Sequence, residues 1–347
     1  MDPIGERRGT MAQNAERMFV RVADVAAEAG VSTATASKAL NNTGQLRDST
    51  RDRVLRAAER LGFAERGMRS ERAERAVTVA LLTGDSVGRF SLPIMLGAEN
   101  ALSVGEIMVL LCDTRDDALR EQYYLRRLLE QRVDGLIVTG RRTDPRPPLN
   151  VGLPVVYAHA SSLDPANTSV VPDDAAGARL VFKHLTSLGR TGLAHVTGPK
   201  DHFSATVRAE SMAHVAEAGG HPLVHEPLYG AWSEAWGRAA ADILLDHANT
   251  VPDAITCGSD QIARGVAERL RERGVGIPDD IALTGFDDWD AMVEGTRPPL
   301  TTVNTRLGEI GRLSAELLLE AIGGAPRPGV ERVEPRLVTR GSTLGAV

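Results

Sequence analysis

Four residues in the segment 20–41, VRVADVAAEAGVSTATASKALN, have the types and spacing needed to contact DNA. They are Thr33, Ala34, Ser37 and Lys38, and they form the outward face of a short helix. Small side chains at the start of a helix let its N-terminus approach the major groove closely. There, methyl groups can contact thymine and a lysine can donate to O6 or N7 of guanine, whereas Ser37 suits a phosphate better than a base. The pattern therefore predicts a DNA-contacting surface on this helix.

A preceding helix must hold this surface in place. Val22, Val25, Ala26 and Ala29 recur at helical spacing, and Gly30 then tolerates the left-handed conformation that ends a helix. The spacing predicts one short helix that packs through a single apolar face.

The DNA-contacting helix itself should follow at once. Ser32 is a good N-cap, and the apolar side of the helix is formed by Ala36, Ala39 and Leu40. Together the two helices make a helix–turn–helix. An Ala-rich helical hairpin without a DNA role is the alternative interpretation.

A third helix favours the DNA-binding interpretation. Residues 48–50, Asp-Ser-Thr, can cap it, and its apolar stripe consists of Val54, Leu55, Ala58 and Leu61. It should end at residues 62–63. Three short helices in about 45 residues are typical of a minimal DNA-binding headpiece.

The runs DVAAEAGVSTATASKALN and TRDRVLRAAERLGF resemble the headpiece of the LacI-type bacterial transcriptional repressors over residues 20–63. The resemblance implies that Thr33, Ala34 and Lys38 read bases. It also implies that Ser37, Thr50 and Arg51 contact phosphates.

The following segment, residues 64–76, departs from the hinge of that family. Where relatives carry a proline and then a leucine that wedges into the minor groove, this chain has Glu65 and Arg72. Arginine can enter a narrowed minor groove electrostatically, and Met68 is the large apolar residue left to insert. The hypothesis is a regulator that bends its site less, or that depends on Arg69 and Arg72 in the minor groove.

Charge is divided unevenly along the 347 residues, whose net charge is −6. Residues 1–76 carry 14 Lys and Arg against 11 Asp and Glu, and the remainder carries 26 against 35. The acidic remainder should repel DNA and leave the headpiece to engage phosphates.

The length requires a large second part, predicted at residues 77–347, and residues 1–19 are predicted to be a disordered extension. Cys112 and Cys257 lie far apart in apolar runs and are expected as buried thiols. We expect neither a signal peptide nor a membrane-spanning segment, and therefore a cytoplasmic protein.

From residue 77 onward, apolar strand-like runs alternate with amphipathic helices. Runs such as VTVALL at 77–82 and GLIVTG at 135–140 open a first series, and a second series follows from residue 176, with one strand expected around 223–226. The alternation predicts two parallel, doubly wound α/β lobes. The resemblance implies that the chain crosses between the lobes several times, as in periplasmic sugar-binding proteins. The predicted fold class is an all-α helix–turn–helix headpiece plus a two-lobed, periplasmic-binding-protein-like α/β effector domain.

A ligand cleft between such lobes needs a carboxylate, a guanidinium and an aromatic wall. Asp287 ends the strand-like run IALTGFD, at a carboxyl end where open sheets bind ligands. The resemblance implies effector-binding roles for Arg208 and Trp232. Alternatively, Arg208 is a solvated surface residue, and Asp287 or Asp288 caps the following turn. The role of Trp232 is open as well, since the nearby Trp236 could be the buried tryptophan.

Further positions that line the pocket in relatives correspond to His202, Phe90, Ser91 and Ser259. Two of these positions show departures. Ser259, in CGSD, replaces an asparagine, and Gly88-Arg89-Phe90-Ser91 keeps one of two aromatics. The effector is therefore a sugar or sugar phosphate by default, with a purine or another metabolite left open.

The sequence lacks the common catalytic motifs. The GPK at 198–200 lacks the rest of a phosphate-binding loop, and neither GxSxG nor HExxH occurs. His221 and His225 have metal-like spacing, but Pro222 and Pro227 indicate a loop and strand there. We therefore expect no enzyme activity, no metal and no cofactor.

The prediction as a whole is a homodimeric transcriptional regulator that represses by binding operator DNA and responds to a small-molecule effector, with a carbohydrate as the default. The alternative is a two-lobed solute-binding or sensor protein without a DNA role.

Overall fold

The computed structural model describes residues 22–40, 46–61, 77–101, 107–140, 142–246 and 250–345. The chain divides into two compact units, residues 1–76 and 77–347. The predicted extension at 1–19 and hinge at 64–76, with Met68, Arg69 and Arg72, lie outside the described residues.

Among its described residues, 22–40 and 46–61, the first unit contains three helices, α1 (Val22–Ala29), α2 (Thr33–Leu40) and α3 (Asp48–Leu61). Gly30 has φ +61°, and the amide of Val31 donates to the carbonyl of Ala26 at 2.9 Å, which closes α1. The hydroxyl of Ser32 accepts from the amide of Thr35 at 3.2 Å. The predicted turn and N-cap are therefore confirmed.

The apolar stripe of α3 differs from its prediction at one position. Val54, Ala57 and Ala58 are buried against α1 and α2, whereas Leu55 is 41% exposed. Spacings of three, four and seven from Val54 reach residues 57, 58 and 61, so Leu55 lies about a quarter turn away from the core face. The inclusion of Leu55 in the stripe was wrong.

The second unit contains twelve strands and nine helices within its described residues. In chain order they are β1 (Val77–Thr83), α4 (Ser91–Glu99), β2 (Ile107–Asp113), α5 (Ala118–Glu130), β3 (Gly135–Thr139), β4 (Val155–Ala158), β5 (Thr168–Pro172), α6 (Asp174–Ser187), β6 (Leu193–Thr197), α7 (Phe203–Ala218), β7 (Leu228–Tyr229), α8 (Glu234–Asp246), β8 (Ala254–Cys257), α9 (Asp260–Glu272), β9 (Ala282–Phe286), α10 (Asp290–Val293), β10 (Thr301–Asn304), α11 (Leu307–Ile322), β11 (Gly329–Val333), β12 (Arg336–Val338) and α12 (Gly341–Leu344).

These elements form two lobes, each built on a six-stranded sheet. The sheet of lobe one has the order β2-β1-β3-β4-β5-β11 and is parallel throughout. The sheet of lobe two has the order β7-β6-β8-β9-β10-β12, with β12 antiparallel to β10. The chain passes between the lobes after β5, after β10 and after β11. The predicted two-lobed fold with several crossovers is confirmed.

After the second crossover, α11 returns to lobe one and packs against α4 through glycines. A Cβ on Gly97 would lie 1.9 Å from the carbonyl oxygen of Gly308, and one on Gly311 would lie 2.0 Å from that of Ile94. Glycine at both points allows the two helices to approach at backbone distance, which fixes the returning segment on the lobe-one core.

The strand predicted around residues 223–226 does not form. The strand at this edge is β7, which pairs Leu228 with Val196 and Tyr229 with Thr197 of β6. Pro222 and Pro227 lack the N–H groups that a ladder requires, so regular pairing starts only after the second proline.

Cys112 and Cys257 are buried free thiols, as predicted. Burial raises the pKa of the Cys257 thiol well above its ordinary value. Within the described ranges, no helix has the length and apolar character needed to span a membrane.

Candidate ligand cleft and nucleic-acid interface

Helix α2 presents its predicted contact residues on an open face. Thr33, Ala34 and Lys38 are exposed and Ser37 is half-buried, while Ala36 and Ala39 face the core. The N-terminal turn of the helix therefore carries small side chains outward, as an approach to a major groove requires.

Thr50 and Arg51 lie in the first turn of α3 and are half-buried. The Nε atom of Arg51 is buried and has no hydrogen-bond partner. A buried guanidinium N–H without a partner is suited to a phosphate oxygen.

A cavity of about 550 Å³ lies between the two lobes, where the carboxyl ends of both sheets meet. Predicted residues that line it are Phe90, His202, Arg208, Trp232, Ser259 and Asp287. Ser91 differs from these, because the structure places it beside the cavity as the first residue of α4, with its amide bonded to Asp85 at 3.0 Å. Its hydroxyl also faces that carboxylate, so its prediction as an effector contact does not fit this geometry.

Arg208, on α7, is one of the most enclosed charges of the cleft, with 6% of its side chain exposed. Its Nε donates to Asp174 at 3.1 Å, and its Nη1 donates to the carbonyl of Gly258 at 2.7 Å and to Asp287 at 3.2 Å. Burial works to lower the Arg208 pKa, but the carboxylates of Asp174 and Asp287 outweigh this effect and raise it. Arg208 is therefore a permanently charged donor and not a solvated surface residue.

Asp287 follows β9 in an unusual backbone conformation. Asp287 has φ +106° and Asp288 has φ +53°, and both are costly for residues with a Cβ. The turn is held because the amide of Asp287 donates to the carbonyl of Val303 at 2.8 Å. The carboxylate of Asp288 accepts from Asn304 at 2.8 Å and from Arg340 at 2.9 Å. This support keeps the Asp287 carboxylate directed at Arg208.

Arg89, which the sequence did not predict as a site residue, contacts Asp287 from lobe one. Its Nη2 donates to Asp287 Oδ2, and its guanidinium lies 4.7 Å from the ring centre of Phe90 and 4.4 Å from that of Trp289. A planar cation is thus stacked on two aromatic faces at the cleft.

Trp232 and Trp236 both pack against the core of lobe two, and Trp232 also lines the cavity. Trp236 packs against the core of lobe two and donates to the carbonyl of Thr197 at 2.9 Å. Trp232 lines the cavity and donates from Nε1 to Nδ1 of His202 at 2.8 Å. Gly198 makes room for this ring, since a Cβ there would lie 2.1 Å from it.

Contacts between the lobes continue beside His202. Arg142, from lobe one, lies 2.9 Å from Nε2 of His202, and Asp144 accepts from the amide of Phe203 at 2.8 Å. Arg142 and Trp232 can only donate, and a neutral imidazole accepts at one nitrogen, so His202 satisfies one of them at a time.

Two acidic residues that sequence reasoning missed organise the walls of the site. Asp85 accepts from the amide of Phe90 at 2.7 Å and so caps the start of α4. Asp260 is fully buried beneath the cleft and accepts from the amide of Trp289 at 2.7 Å. Burial, and next the charge of Asp287, raise the pKa of Asp260 to about 8.

Three buried polar atoms beside the cavity have no hydrogen-bond partner, namely Nε of Arg89, Oγ1 of Thr143 and Nδ1 of His159. The His159 ring stacks on Phe90 with 4.7 Å between ring centres. Burial lowers the pKa of His159 to about 4, so its ring is neutral at pH 7. Orphaned buried groups of this kind mark places where a ligand can donate or accept.

The hydroxyl of Ser259 accepts from the amide of Ile262 at 3.3 Å and caps α9. Ser259 therefore both caps this helix and lines the cavity. Among the described residues, no group of three or more His, Cys, Asp or Glu side chains is arranged to hold a metal ion.

Comparisons with known proteins agree with this architecture. Residues 21–65 match the family described as bacterial regulatory proteins, lacI family, and residues 182–343 match a periplasmic binding protein-like domain. The HTH-type transcriptional regulator MalR of Streptomyces coelicolor is 32% identical, over 95% of this chain and 98% of the relative. The HTH-type transcriptional repressor PurR of Aliivibrio fischeri is 31% identical, over 92% of this chain and 97% of the relative.

Solved structures show the same arrangement. The transcriptional regulator CelR–cellobiose complex has a TM-score of 0.65 and 28% identity, covering 93% of this chain and 99% of that one. The lac repressor dimer bound to operator and the anti-inducer ONPF has a TM-score of 0.64 and 25% identity, covering 94% and 99%.

A helix–turn–helix unit and a two-lobed cleft in one chain define a DNA-binding transcriptional regulator. The chain belongs to the LacI family. The headpiece and the full-length relatives decide against a solute-binding protein without a DNA role.

The neutral state of His159 predicts a pH dependence of stability. Its pKa is about 4 in the folded protein and 6.5 in its ordinary state, so below pH 6.5 the unfolded chain takes up a proton that the folded protein refuses. Stability is therefore lost as the pH falls. The substitution His159→Asn, which tolerates the local φ of +69°, should reduce the loss between pH 7 and pH 5 by about 2 kcal/mol in urea unfolding. Equal losses in both proteins would contradict the assignment.

Proposed function

We propose that this protein is a repressor whose affinity for operator DNA is controlled by a small, polyhydroxylated effector, a carbohydrate, bound between its lobes. The observation that carries this proposal is the buried Arg208–Asp287 pair at the meeting of the two sheets, with Trp232 and Phe90 as aromatic walls. Paired donors and acceptors beside aromatic faces are what sugar hydroxyls and sugar ring faces require.

The charges of the cleft favour a neutral effector. Among the described residues that line it, the carboxylates of Asp85, Asp116 and Asp287 are matched by the guanidinium groups of Arg89, Arg142 and Arg208. A phosphorylated sugar would bring two further negative charges into a balanced site. The volume of about 550 Å³ lies within the usual range for a small-molecule site, and the similar CelR is known in complex with cellobiose.

The buried charges at the centre of the cleft, Arg89, Arg208 and Asp287, are paired with one another, and we infer that the chain acts by binding, without enzyme activity. Because its target is chromosomal DNA, we place it in the bacterial cytoplasm.

On DNA, we propose that Thr33, Ala34 and Lys38 contact bases and that Ser37, Thr50 and Arg51 contact phosphates. The exposure of the first three and the orphaned Nε of Arg51 support this division. We retain Met68, Arg69 and Arg72 as minor-groove contacts on the strength of the sequence. Each headpiece of a dimer would take one half of a pseudo-palindromic operator.

Dimerisation is supported by apolar side chains on one side of lobe one. Leu96 is 53% exposed and Met108 49% exposed, and Leu92, Leu110 and Leu111 are also exposed. They lie on α4 and on β2, the edge strand of the sheet, and these two elements contact each other. A second copy of this chain would cover both the apolar surface and the unpaired strand edge.

The division of DNA contacts predicts two kinds of loss. Against a site selected from random DNA, Lys38→Ala should cost about 1–3 kcal/mol and relax specificity at one base-pair position. Arg69→Ala with Arg72→Ala should weaken binding to all sequences and reduce the salt dependence by about one unit per arginine. Fluorescence anisotropy at several salt concentrations measures both effects, with Lys183→Ala, an exposed residue of the second unit, as control. Unchanged specificity in Lys38→Ala would refute its role in reading bases.

The cleft assignment predicts stabilisation by neutral sugars. In a thermal-shift panel of neutral sugars including cellobiose, sugar phosphates and nucleobases, at least one neutral sugar should raise the Tm, by the equivalent of about 2.7 kcal/mol at a hundredfold excess over Kd. Arg208→Lys should abolish the shift, since lysine cannot bond Asp174, Gly258 and Asp287 together. Arg269→Ala, which breaks a surface pair with Asp242 in the same lobe, is the matched control. A shift with phosphorylated sugars alone, or with no compound, would overturn the proposed effector.

The apolar surface predicts a dimer that charge can break. Leu96→Asp with Leu110→Asp should convert the protein to monomers in sedimentation velocity, because two carboxylates would then have to be buried in the interface. Leu188→Asp, at an exposed leucine of lobe two, should leave the dimer intact. Persistence of the dimer in the double variant would place the interface elsewhere.

A further inference from the structure

We propose that Arg89 is a cross-lobe tie, which joins the two lobes through Asp287 and takes over a closing role that would otherwise fall to the effector. This proposal concerns how closure of the cleft is regulated, and it rests on the proposed function of the cleft as an effector site.

The lobe-one end of the tie is held rigidly. Gly88 has φ +78° and its amide donates to the carbonyl of Asp85 at 3.1 Å, which turns the chain before Arg89. Immediately after it, Phe90 donates its amide to the carboxylate of Asp85 at 2.7 Å. Arg89 therefore projects from a loop anchored on both sides, and little backbone freedom remains to be lost when its side chain crosses the cleft.

The lobe-two end is fixed as well. Asp287 is held by its strained turn, and the amide of the adjacent Trp289 donates to the buried Asp260 at 2.7 Å. The Trp289 ring consequently stays against one face of the Arg89 guanidinium, 4.4 Å from its centre, while Phe90 covers it at 4.7 Å. The tie combines a charge-assisted hydrogen bond with two cation–π contacts.

Burial strengthens this interaction. Only 15% of the Arg89 side chain and 9% of the Asp287 side chain are exposed, so water screens the pair weakly. One Asp287 oxygen is bonded to Arg208 of lobe two and the other to Arg89 of lobe one. Separation of the lobes would leave the Arg89 guanidinium without its carboxylate and would leave Asp287 with Arg208 alone, which disfavours the open arrangement.

The tie also affects which polar atoms of the cleft can bind the effector. Both oxygens of Asp287 are engaged by arginines, and the buried polar atoms of the cavity lining that have no hydrogen-bond partner lie on lobe one, at Nε of Arg89, Oγ1 of Thr143 and Nδ1 of His159. An effector that accepts from Nη2 of Arg89 would compete with Asp287 and so act on lobe closure directly, whereas one that accepts from Nε could bind without breaking the tie.

The amide of Phe203 reports on closure, because it belongs to lobe two and donates to Asp144 of lobe one. Hydrogen exchange followed by mass spectrometry, on the full-length protein with no sugar added, should show this amide exchanging about tenfold faster or more in Arg89→Ala. Millimolar methylguanidinium should restore slow exchange by refilling the place between Phe90 and Trp289. The same compound should have no effect on Arg89→Ala combined with Asp287→Asn.

Two controls separate a tie from a general loss of stability. Arg146→Ala removes an arginine that is paired with Glu121 at 2.9 Å inside lobe one, and it should leave the Phe203 amide unchanged. Exchange in β8 should remain slow in every variant, which verifies that lobe two is folded. Unchanged exchange at Phe203 in Arg89→Ala, or rescue that persists without the Asp287 carboxylate, would overturn the proposal. A failed sugar screen would overturn the effector class alone, since no sugar enters this experiment.

Discussion

The carboxylate of Asp287, held between Arg208 and Arg89, is the interaction on which the ligand-binding unit depends. A charge with 9% of its side chain exposed is stable only when it is paired, and here the partners come from both lobes. Arg208 is in turn bonded to Asp174 at the start of α6, directly after the first crossover. The charge cluster therefore connects the ligand cleft to the segment that joins the lobes.

This arrangement requires a backbone that no local preference would select. Two consecutive residues with positive φ place Asp287 in the cleft, and Asn304 and Arg340 hold the second of them through its carboxylate. Asn304 ends β10, where the chain leaves lobe two for α11. The backbone strain at Asp287 and Asp288 is thus offset by hydrogen bonds to residues at a crossover. Strained backbone of this kind is typical of functional sites.

Sequence reasoning was most accurate where short-range interactions decide. Gly30, Ser32 and the alanines of α1 and α2 act over three or four residues, and their roles as turn, cap and core were confirmed. Errors arose where the decisive partner was distant or where a residue stood at the edge of a pattern. Leu55 fell outside the buried face of α3, and the prolines around residues 223–226 delayed strand pairing to Leu228. For Ser91, the sequence could not show that its amide and hydroxyl both donate to the carboxylate of Asp85.

By itself, the sequence determined the helix–turn–helix, the two α/β lobes and the presence of Arg208, Asp287 and Trp232 in the cleft, since periodicity, capping and motif resemblance are all local signals. Only the tertiary structure decided that Arg89 pairs with Asp287, because 198 residues and a change of lobe separate them. It likewise showed that, of the two tryptophans packed against the core of lobe two, Trp232 also lines the cavity, and it placed His159 and Thr143 beside the site with unpaired polar atoms. The physical reason is that burial and pairing of charges depend on which chain segments meet in space, and three crossovers between the lobes determine that meeting.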